Sequence, residues 1–500
     1  MTRGGILAID QGTTSTRALV VDERGAVLAE ARRAHPCHHP RPGWVEQDPE
    51  ELWQAVRACA GAALARSGIG AGGLVGVGVT NQRETTLLWE RASGRPLAPA
   101  IVWQDRRTAA DCRALSEAGA RERFERRTGL VLDPYFSATK LAWLLDHLPD
   151  ARRRAERGEL CFGTVDSWIA WRASGGRRHV TEVTNASRTG LMDLAGGRFD
   201  EELLELFRIP AAVLPVLVGD EPLVEAEAAT ELVDGGKVGL LAGLGDQQAA
   251  LLAQACTVRG RAKATFGTGT FVLGHCGAGP PRRRDGLLAT AAARLEGEPS
   301  YALEGSVLSS GSAVGWLSSG LGVLGAPGDS EAMARAAKAD ADLWFVPALA
   351  GLGSPQWDPT ARGTLLGVTG ATTAAEVDRA VLEGVAHTTC DVLEAMAVAG
   401  HPVRELRVDG GAAANGWLME QVSALSGVPV DVSGELESTA LGAAYLAGVR
   451  AGWWAAADLA GLRRSQRRIE PTLEPAARSV RRARWAAAVE RSLGWAAADT

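Results

Sequence analysis

The stretch 6-ILAIDQGTTSTRALVVD-22 sets two apolar runs around a turn containing Asp10, Gln11, Gly12, Thr13, Thr14, Ser15, Thr16 and Arg17. Apolar runs flanking a short Gly-centred break predict a β-hairpin. An ordinary hairpin turn needs little more than one Gly or Asn. This one adds a carboxylate, four hydroxyls and an arginine. Backbone N–H groups at glycine, neighbouring hydroxyls and a guanidinium fork together suit a phosphate. Asp10, at the strand end, is placed to hold Mg²⁺, through water, because that ion keeps much of its hydration shell. Taken alone, a polar hairpin stabilised by its own threonines accounts for the turn equally well.

The chain then begins again. The segment 262-AKATFGTGTFVLG-274 repeats strand, Gly/Thr turn, strand, and Gly267-Thr268-Gly269-Thr270 answers Gly12-Thr13-Thr14-Ser15. Five hundred residues exceed one comfortable core, so two large domains are expected, 1–254 and 255–500. Between the two hairpins, Asp48-Pro49-Glu50-Glu51 starts a helix over 49–66, with Pro in its first turn and acids at its positive end. A buried strand 74–80, a helix-rich stretch 105–230 and a second strand-like stretch 238–255 follow. Beyond them lie a Gly/Ser turn into a helix at 305–317, a helix over 374–398, and a strand, Gly-Gly turn and helix over 404–427. The segment 438–452 and an Ala/Arg/Trp-rich surface helix close the chain, with Trp453, Trp454, Trp485 and Trp495 read as packing residues. Strands alternating with helices make the fold α/β.

Composition narrows the function. Apolar content of 46% and charged content of 22% fit a globular protein with a full core. A net charge of −6 argues against a nucleic-acid surface. No window reaches ~18 uninterrupted apolar residues, so no membrane span is expected. The opening MTRGGILAID enters a strand at once, without a signal peptide, and seven dispersed cysteines with no CxxC pair suggest reduced thiols, hence a cytoplasmic protein. Of 53 basic residues only Lys140, Lys237, Lys263 and Lys338 are lysines, a bias read as coding preference. The group His35, Cys37, His38 and His39 sits in a Pro-rich connection without a second ligand group, so a metal site there is disfavoured. Arginine clusters at 121–127, 152–154 and 282–284 read as solvated faces.

Two later turns decide between the readings of the first. In 243-GLGDQQ-248, Asp246 follows a buried strand between small residues. In 408-VDGGAAANGW-417, a Gly-Gly turn opens a helix and leaves room for a flat base. Phosphate hairpin, acidic turn and nucleoside turn, spread across two similar halves, form the pattern of the actin-like (ribonuclease H-like) ATPase fold, two domains flanking a central cleft. The sequence resembles the FGGY carbohydrate kinases, in their glycerol-phosphorylating branch, over about 4–496. The resemblance is carried by 9-IDQGTTSTR-17, 80-TNQRETTLLWE-90, 101-IVWQDRRT-108, 128-TGLVLDPYFSATKLAWLLDH-147, 183-VTNASRTGLMD-193, 245-GDQQAAL-251, 303-LEGSV-307 and 363-GTLLGVTGATTAAEVDRAVLEG-384.

That resemblance implies ATP-dependent phosphorylation of glycerol to sn-glycerol 3-phosphate, with ATP and Mg²⁺ as cofactors and a homo-oligomer, dimer or tetramer, as the assembly. It makes Asp246 the general base on the acceptor hydroxyl and a second candidate, after Asp10, for contact with the metal. Arg83, Glu84, Trp103, Tyr135, Asp246, Gln247 and Phe271 would form the polyol pocket, hydrogen-bonding groups set against an apolar wall. Without the resemblance, Arg83-Glu84 reads more simply as an ion pair at a strand edge. Thr13, Thr14, Ser15, Arg17, Thr268 and Gly269 would hold phosphates, Gly311 would lie nearby, and Gly411 with Asn415 would meet the adenosine. Without it, the two glycines are ordinary turn residues and Asn415 is a helix cap.

Departures from the family are local. The stretch 231-ELVDGGKVGLLAG-243 lacks the arginine of the Gly-Gly-Thr-Arg loop that binds fructose 1,6-bisphosphate in some members, and 220–240 contains no histidine for phosphohistidine control. Gly315 replaces a common Gln near the nucleotide, and Ser354 and Gln356 replace the usual Ala and aromatic. Two alternatives stand beside the leading one: an FGGY kinase of another polyol or a ketose such as xylulose, and an actin-like nucleotide switch with no acceptor. Asn81-Gln82-Arg83-Glu84-Thr85 argues against the first, and the Arg83, Glu84, Trp103, Tyr135 set would be unexplained by the second.

Overall fold

A computed structural model describes residues 4–281, 286–338, 341–435 and 438–496. The arginine cluster 282–284 falls outside the described residues. The first half is built on a five-stranded sheet. Its hairpin comprises β1 (Gly5–Gln11) and β2 (Ser15–Val21), paired antiparallel with Asp10 opposite Arg17. β3 (Val27–Ala34) extends it, and helix α1 (Pro49–Ser67) follows, its N-terminus capped where the Asp48 carboxylate accepts from Glu50 N. β4 (Leu74–Asn81) runs parallel to β1, and β5 (Leu240–Gly245) runs parallel to β4, giving the order β5-β4-β1-β2-β3. Between β4 and β5 a helical subdomain intervenes, and the short helix α2 (Val183–Ala186) returns the chain to the sheet. The register aligns Gln11, Asn81 and Gly245, so the carboxyl ends of three parallel strands meet at one edge. In open α/β sheets that edge is where ligands bind.

In the stretch 238–255, read as strand-like with Asp246 following a buried strand, β5 ends at Gly245 and helix α3 (Asp246–Ala253) begins at once. An unbroken apolar run hides the change of period, and no side chain caps the helix start.

The second half repeats the first. β6 (Arg261–Phe266) and β7 (Thr270–Gly277) form its hairpin, followed by β8 (Leu288–Leu295) and β9 (Glu298–Val307). Helix α4 (Ala374–Val398) opens with a reciprocal Thr373–Glu376 capping box. β10 (Glu405–Asp409), α5 (Gly416–Ser426), β11 (Val430–Ser433), α6 (Ser438–Arg450), β12 (Ser465–Ile469) and α7 (Pro475–Glu490) complete it. The order β11-β10-β6-β7-β9 matches the first sheet strand for strand, with β8 and β12 added at the edges. The faint echo of two Gly/Thr turns thus has a topological counterpart.

Helix α6 does not stay with its own half. Ala440, Leu441, Ala444 and Leu446 share an apolar cluster with Ile6, Ala8, Leu244 and Leu252 of the first half. Glycine permits the approach: a Cβ at Gly78 would lie 2.1 Å from the Ala443 carbonyl oxygen, and one at Gly442 would lie 1.9 Å from that of Ala249. Of the tryptophans read as packing residues, Trp485 and Trp454 are buried, whereas Trp495 is 73% exposed, because it follows the last helix and none of the described residues covers it.

Candidate active site

The strand end at Asn81 leads directly into Gln82-Arg83-Glu84, all buried. Glu84 takes a left-handed backbone, φ 61°, costly for a side chain with a Cβ. Ser137 donates to its carbonyl at 3.0 Å and Lys140 at 3.4 Å, which holds the kink in place. The Arg83 guanidinium meets Glu304 on β9 at 2.6 Å and Asp246 at 3.1 Å. Arg188, just after α2, bonds Glu84 at 2.6 Å and Glu304 at 3.1 Å. Two arginines and two glutamates from both halves, nearly without solvent exposure, thus surround the root of Asp246. Burial alone would neutralise such a set, but each charge answers another. Burial opposes the Glu304 charge, yet Arg188 and Arg83 carry its carboxyl down to about 2. For Arg83 the carboxylates likewise outweigh burial and hold it well above its ordinary value. Burial dominates at Glu84, which stays above the usual carboxylate range despite Arg188 and Arg83.

Asp246 is the exposed member, its side chain 30% accessible. Its Oδ1 forms the ion pair with Arg83 Nε and, at 2.7 Å, accepts from Gln247 N, so both contacts fall on one oxygen and Oδ2 is left for a proton. Gly245 before it is required: a Cβ there would come within 2.7 Å of both Arg83 Cδ and Gln248 Oε1. Its N–H donates to Thr184 Oγ1 at 2.9 Å, and Glu182 in turn accepts from Thr184, so the second helix anchors the base. Burial lifts Glu182 to about 8.

An aromatic wall stands beside these charges. Trp103 and Tyr135 meet edge-to-face at 5.6 Å, and Tyr135 packs against Phe136. Trp103 Nε1 donates to Thr13 Oγ1 at 2.9 Å, joining that wall to the first hairpin turn. In the turn, carbonyls are tied back into the protein: Gly12 O accepts from Gln11 and Gln82 side chains, Thr13 O from Gln47 at 2.6 Å, and Thr14 O from His35 N at 3.1 Å. Thr14 is exposed, and Arg32 holds Ser15 Oγ at 3.1 Å, while Arg17 pairs with Glu30 at 3.3 Å. His35 and Cys37 serve this same turn, bonding Gln11 and the Thr13 carbonyl.

Asp10 is half-buried at the end of β1, within reach of Asp246's charge. Burial first, and Asp246 second, raise its carboxyl to about 7, against the pull of Arg17 and Arg32. A carboxylate whose charge is disfavoured by a neighbouring carboxylate is a natural seat for a divalent cation. No cluster of three or more His, Cys, Asp or Glu able to hold a metal occurs among the described residues. A cation at Asp10 would therefore draw most of its ligands from water or phosphate oxygens.

In the second half, Thr268 O accepts from Ser310 N and Ser312 N, each at 3.0 Å, and Gly267 O from Gly311 N at 2.9 Å. The Gly/Thr turn and the Gly311 loop are zipped together, and only glycine fits: a Cβ at Gly311 would sit 2.6 Å from Gly267 O, one at Gly269 2.5 Å from Val307 O. Gly410 closes on Phe266 O, which brings the Gly410-Gly411 turn beside the same hairpin. The Asn415 side chain accepts from Leu418 N at 2.9 Å and caps α5, a use that sequence alone also allowed. Phe271 on β7 lies opposite Thr265 and Ser306.

Sequence reasoning singled out Arg83, Glu84, Trp103, Tyr135, Asp246 and Gln247, and the structure gathers them. It missed Arg188, Glu304, Gln248 and Lys263. Gln248 Oε1 accepts from Arg83 at 3.3 Å, and Lys263 bonds Gln247. Glu304 in 301-YALEGSVL-308 and Lys263 in 262-AKATF-266 are lone charges inside apolar strands, the signal that could have found them.

A strand-end carboxylate held by an arginine that bridges the two halves, with a hydroxyl-rich hairpin beside it, defines a phosphotransfer enzyme of sugar-kinase type. The chain belongs to the FGGY family of carbohydrate kinases: its residues 5–253 match the family's N-terminal domain and 262–451 its C-terminal domain. It is 50% identical over 493 residues to the glycerol kinase of Trichlorobacter lovleyi, covering 98% of this chain and 99% of that one. It is 51% identical to the glycerol kinase of Dechloromonas aromatica over 493 residues, with 98% of each chain covered. Its fold matches the Plasmodium falciparum glycerol kinase solved with ADP, with TM-score 0.91, 31% identity and 98% of both chains covered. A xylulose kinase from Rhodospirillum rubrum is more distant, at TM-score 0.86 and 25% identity, covering 97% of this chain and 98% of that one. No helix among the described residues is long and apolar enough to cross a membrane.

Proposed function

We propose that this chain transfers the γ-phosphoryl group of ATP to a terminal hydroxyl of glycerol, giving sn-glycerol 3-phosphate. The observation that carries the reading is Asp246 at the mouth of the Arg83–Glu84–Arg188–Glu304 cluster, one oxygen engaged and the other open. Asp246 takes the proton of the attacking hydroxyl; such assistance is worth roughly 10²–10⁴ in rate. Arg83 fixes the carboxylate and donates to the polyol, Glu84 accepts from it, and Gln247 and Tyr135 bond its remaining oxygens. Trp103 and Phe271 pack on its C–H faces. A neutral, small acceptor suits such a pocket because hydrogen bonds, not charge, select it.

Thr13, Thr14, Ser15 and Arg17 hold the transferred and bridging phosphates from the first half. Thr268, Gly269 and Gly311 hold them from the second, and Gly411 and Asn415 lie against adenosine. The hairpin carbonyls of 12–14 are engaged, and Trp103 and Arg32 donate to the Thr13 and Ser15 hydroxyls, which leaves those two O–H groups their protons to donate to anionic oxygens. Mg²⁺, when bound through water at Asp10 with Asp246 nearby, supplies charge neutralisation for the phosphates. The same proposal includes the domain assignment 1–254 and 255–500, a homo-oligomer and a cytoplasmic setting, which the free cysteines among the described residues support.

The test is ADP release with MgATP and glycerol, xylulose, dihydroxyacetone or no acceptor, beside Asp246→Asn. Glycerol-dependent turnover that collapses in the variant is expected. Release indifferent to every acceptor would indicate a nucleotide switch, and preference for xylulose a ketose kinase. Either outcome would overturn the reading.

A further inference from the structure

Lys263 has no part in the chemistry above, yet it lies at its centre. On β6, Ala262, Ala264 and Phe266 face the apolar core of the second half, so Lys263 and Thr265 project from the opposite face. The cross-strand partners on that face are Leu273, Phe271, Arg407 and Asp409. Lys263 is completely buried there. Its ammonium donates to Thr265 Oγ1 at 3.0 Å and to Gln247 Oε1. In a chain with 4 lysines among 53 basic residues, a lysine at this place is notable, because arginine's planar fork could not replace a compact three-donor charge.

The bond to Gln247 has a chemical consequence. A carboxamide has one accepting end and one donating end, and an ammonium can only donate. Lys263 must therefore take Oε1, and the Gln247 amide group is turned away from it as a donor. We infer that Lys263 is a positioning residue that locks Gln247 with its NH₂ presented to the acceptor, so that the pocket demands a lone pair at that point of the substrate. Hydroxyl and carbonyl oxygens satisfy it; a C–H does not. Lys263 thereby reaches from the second half to set a specificity contact of the first. The inference rests on the polyol reading of the site proposed above.

A double-substitution cycle on the full-length enzyme tests it, with Lys263→Met and Gln247→Leu assayed singly and together against glycerol and MgATP. Loss of one neutral hydrogen bond corresponds to about tenfold. Each single change should raise KM for glycerol by about that factor and leave KM for MgATP within about twofold; combined, they should be no worse than Gln247→Leu alone. Effects that multiply, or a Lys263→Met enzyme equally impaired toward both substrates, would overturn the inference. Gln247→Glu provides a measurement that leaves Lys263 intact. It keeps a partner for the ammonium but has no NH₂, so it should lose glycerol affinity as Gln247→Leu does; unchanged affinity would overturn the inference. A wild-type enzyme inactive with glycerol would instead end the functional reading itself.

Discussion

Trp103 Nε1 donates to Thr13 Oγ1 at 2.9 Å, so a residue of the acceptor wall and one of the phosphate turn hold each other. The two subsites are mechanically one. Thr13→Val, a change confined to the phosphate turn, should therefore raise KM for glycerol as well as for MgATP, each by about three- to tenfold. Trp103→Phe should reproduce the effect while keeping the aromatic face, and steady-state kinetics with either substrate varied will show whether it does.

Glu304 answers two arginines and no solvent. Removing one partner from a buried ionic set strands the others, at a cost of about 3–5 kcal/mol. Glu304→Gln should accordingly lower the midpoint of thermal unfolding by several degrees and depress turnover, because Arg83 loses the brace that aims it at Asp246. Calorimetry and kinetics on one preparation suffice; a variant stable as wild type would show that the cluster does not join the halves.

Glu182 gives a pH signature. Burial raises its carboxyl from 4.5 to about 8, so the folded protein binds this proton more tightly than the unfolded chain. Its contribution to stability is complete below about 4.5 and is lost as pH rises towards 8, at ~1.4 kcal/mol per pH unit at most. Glu182→Gln removes that loss. The variant should gain stability relative to wild type between pH 6 and pH 9, read as the difference of the two denaturation curves at each pH.

Gly311 admits no side chain without moving Gly267. Gly311→Ala should push the two phosphate loops of the second half apart and raise KM for MgATP by about tenfold or more, with KM for glycerol changed far less. Equal effects on both substrates would mean that the loops respond as one body with the acceptor pocket.

How much of this was legible beforehand depends on distance along the chain. Hairpins at 6–22 and 262–274, and helix 374–398 with its Thr373–Glu376 box, are written locally, in turn and cap residues a few positions apart. Asp246 stood out because a carboxylate after an apolar strand is conspicuous. The change from strand to helix at Gly245 was not legible, because the run stays apolar and no polar cap marks it. Nor was the pairing of Arg83 with Glu304, 221 residues away, since no local pattern records which distant charge a buried arginine will meet. Asn415 shows the converse difficulty: the same side chain suits a cap and a nucleoside contact, and the fold uses it visibly as the first.

Helix α6 has one more implication. The first sheet lays Ile6, Ala8 and Leu244 against a helix encoded at 438–450, so a nascent chain that has released residue 254 still lacks part of that core. At roughly 5–20 residues per second, the ribosome needs about ten seconds or more to deliver it. The amino-terminal half spends that interval with an apolar face bare, a substrate for chaperones, and a shortened polypeptide ending before 438 would inherit the exposed face permanently.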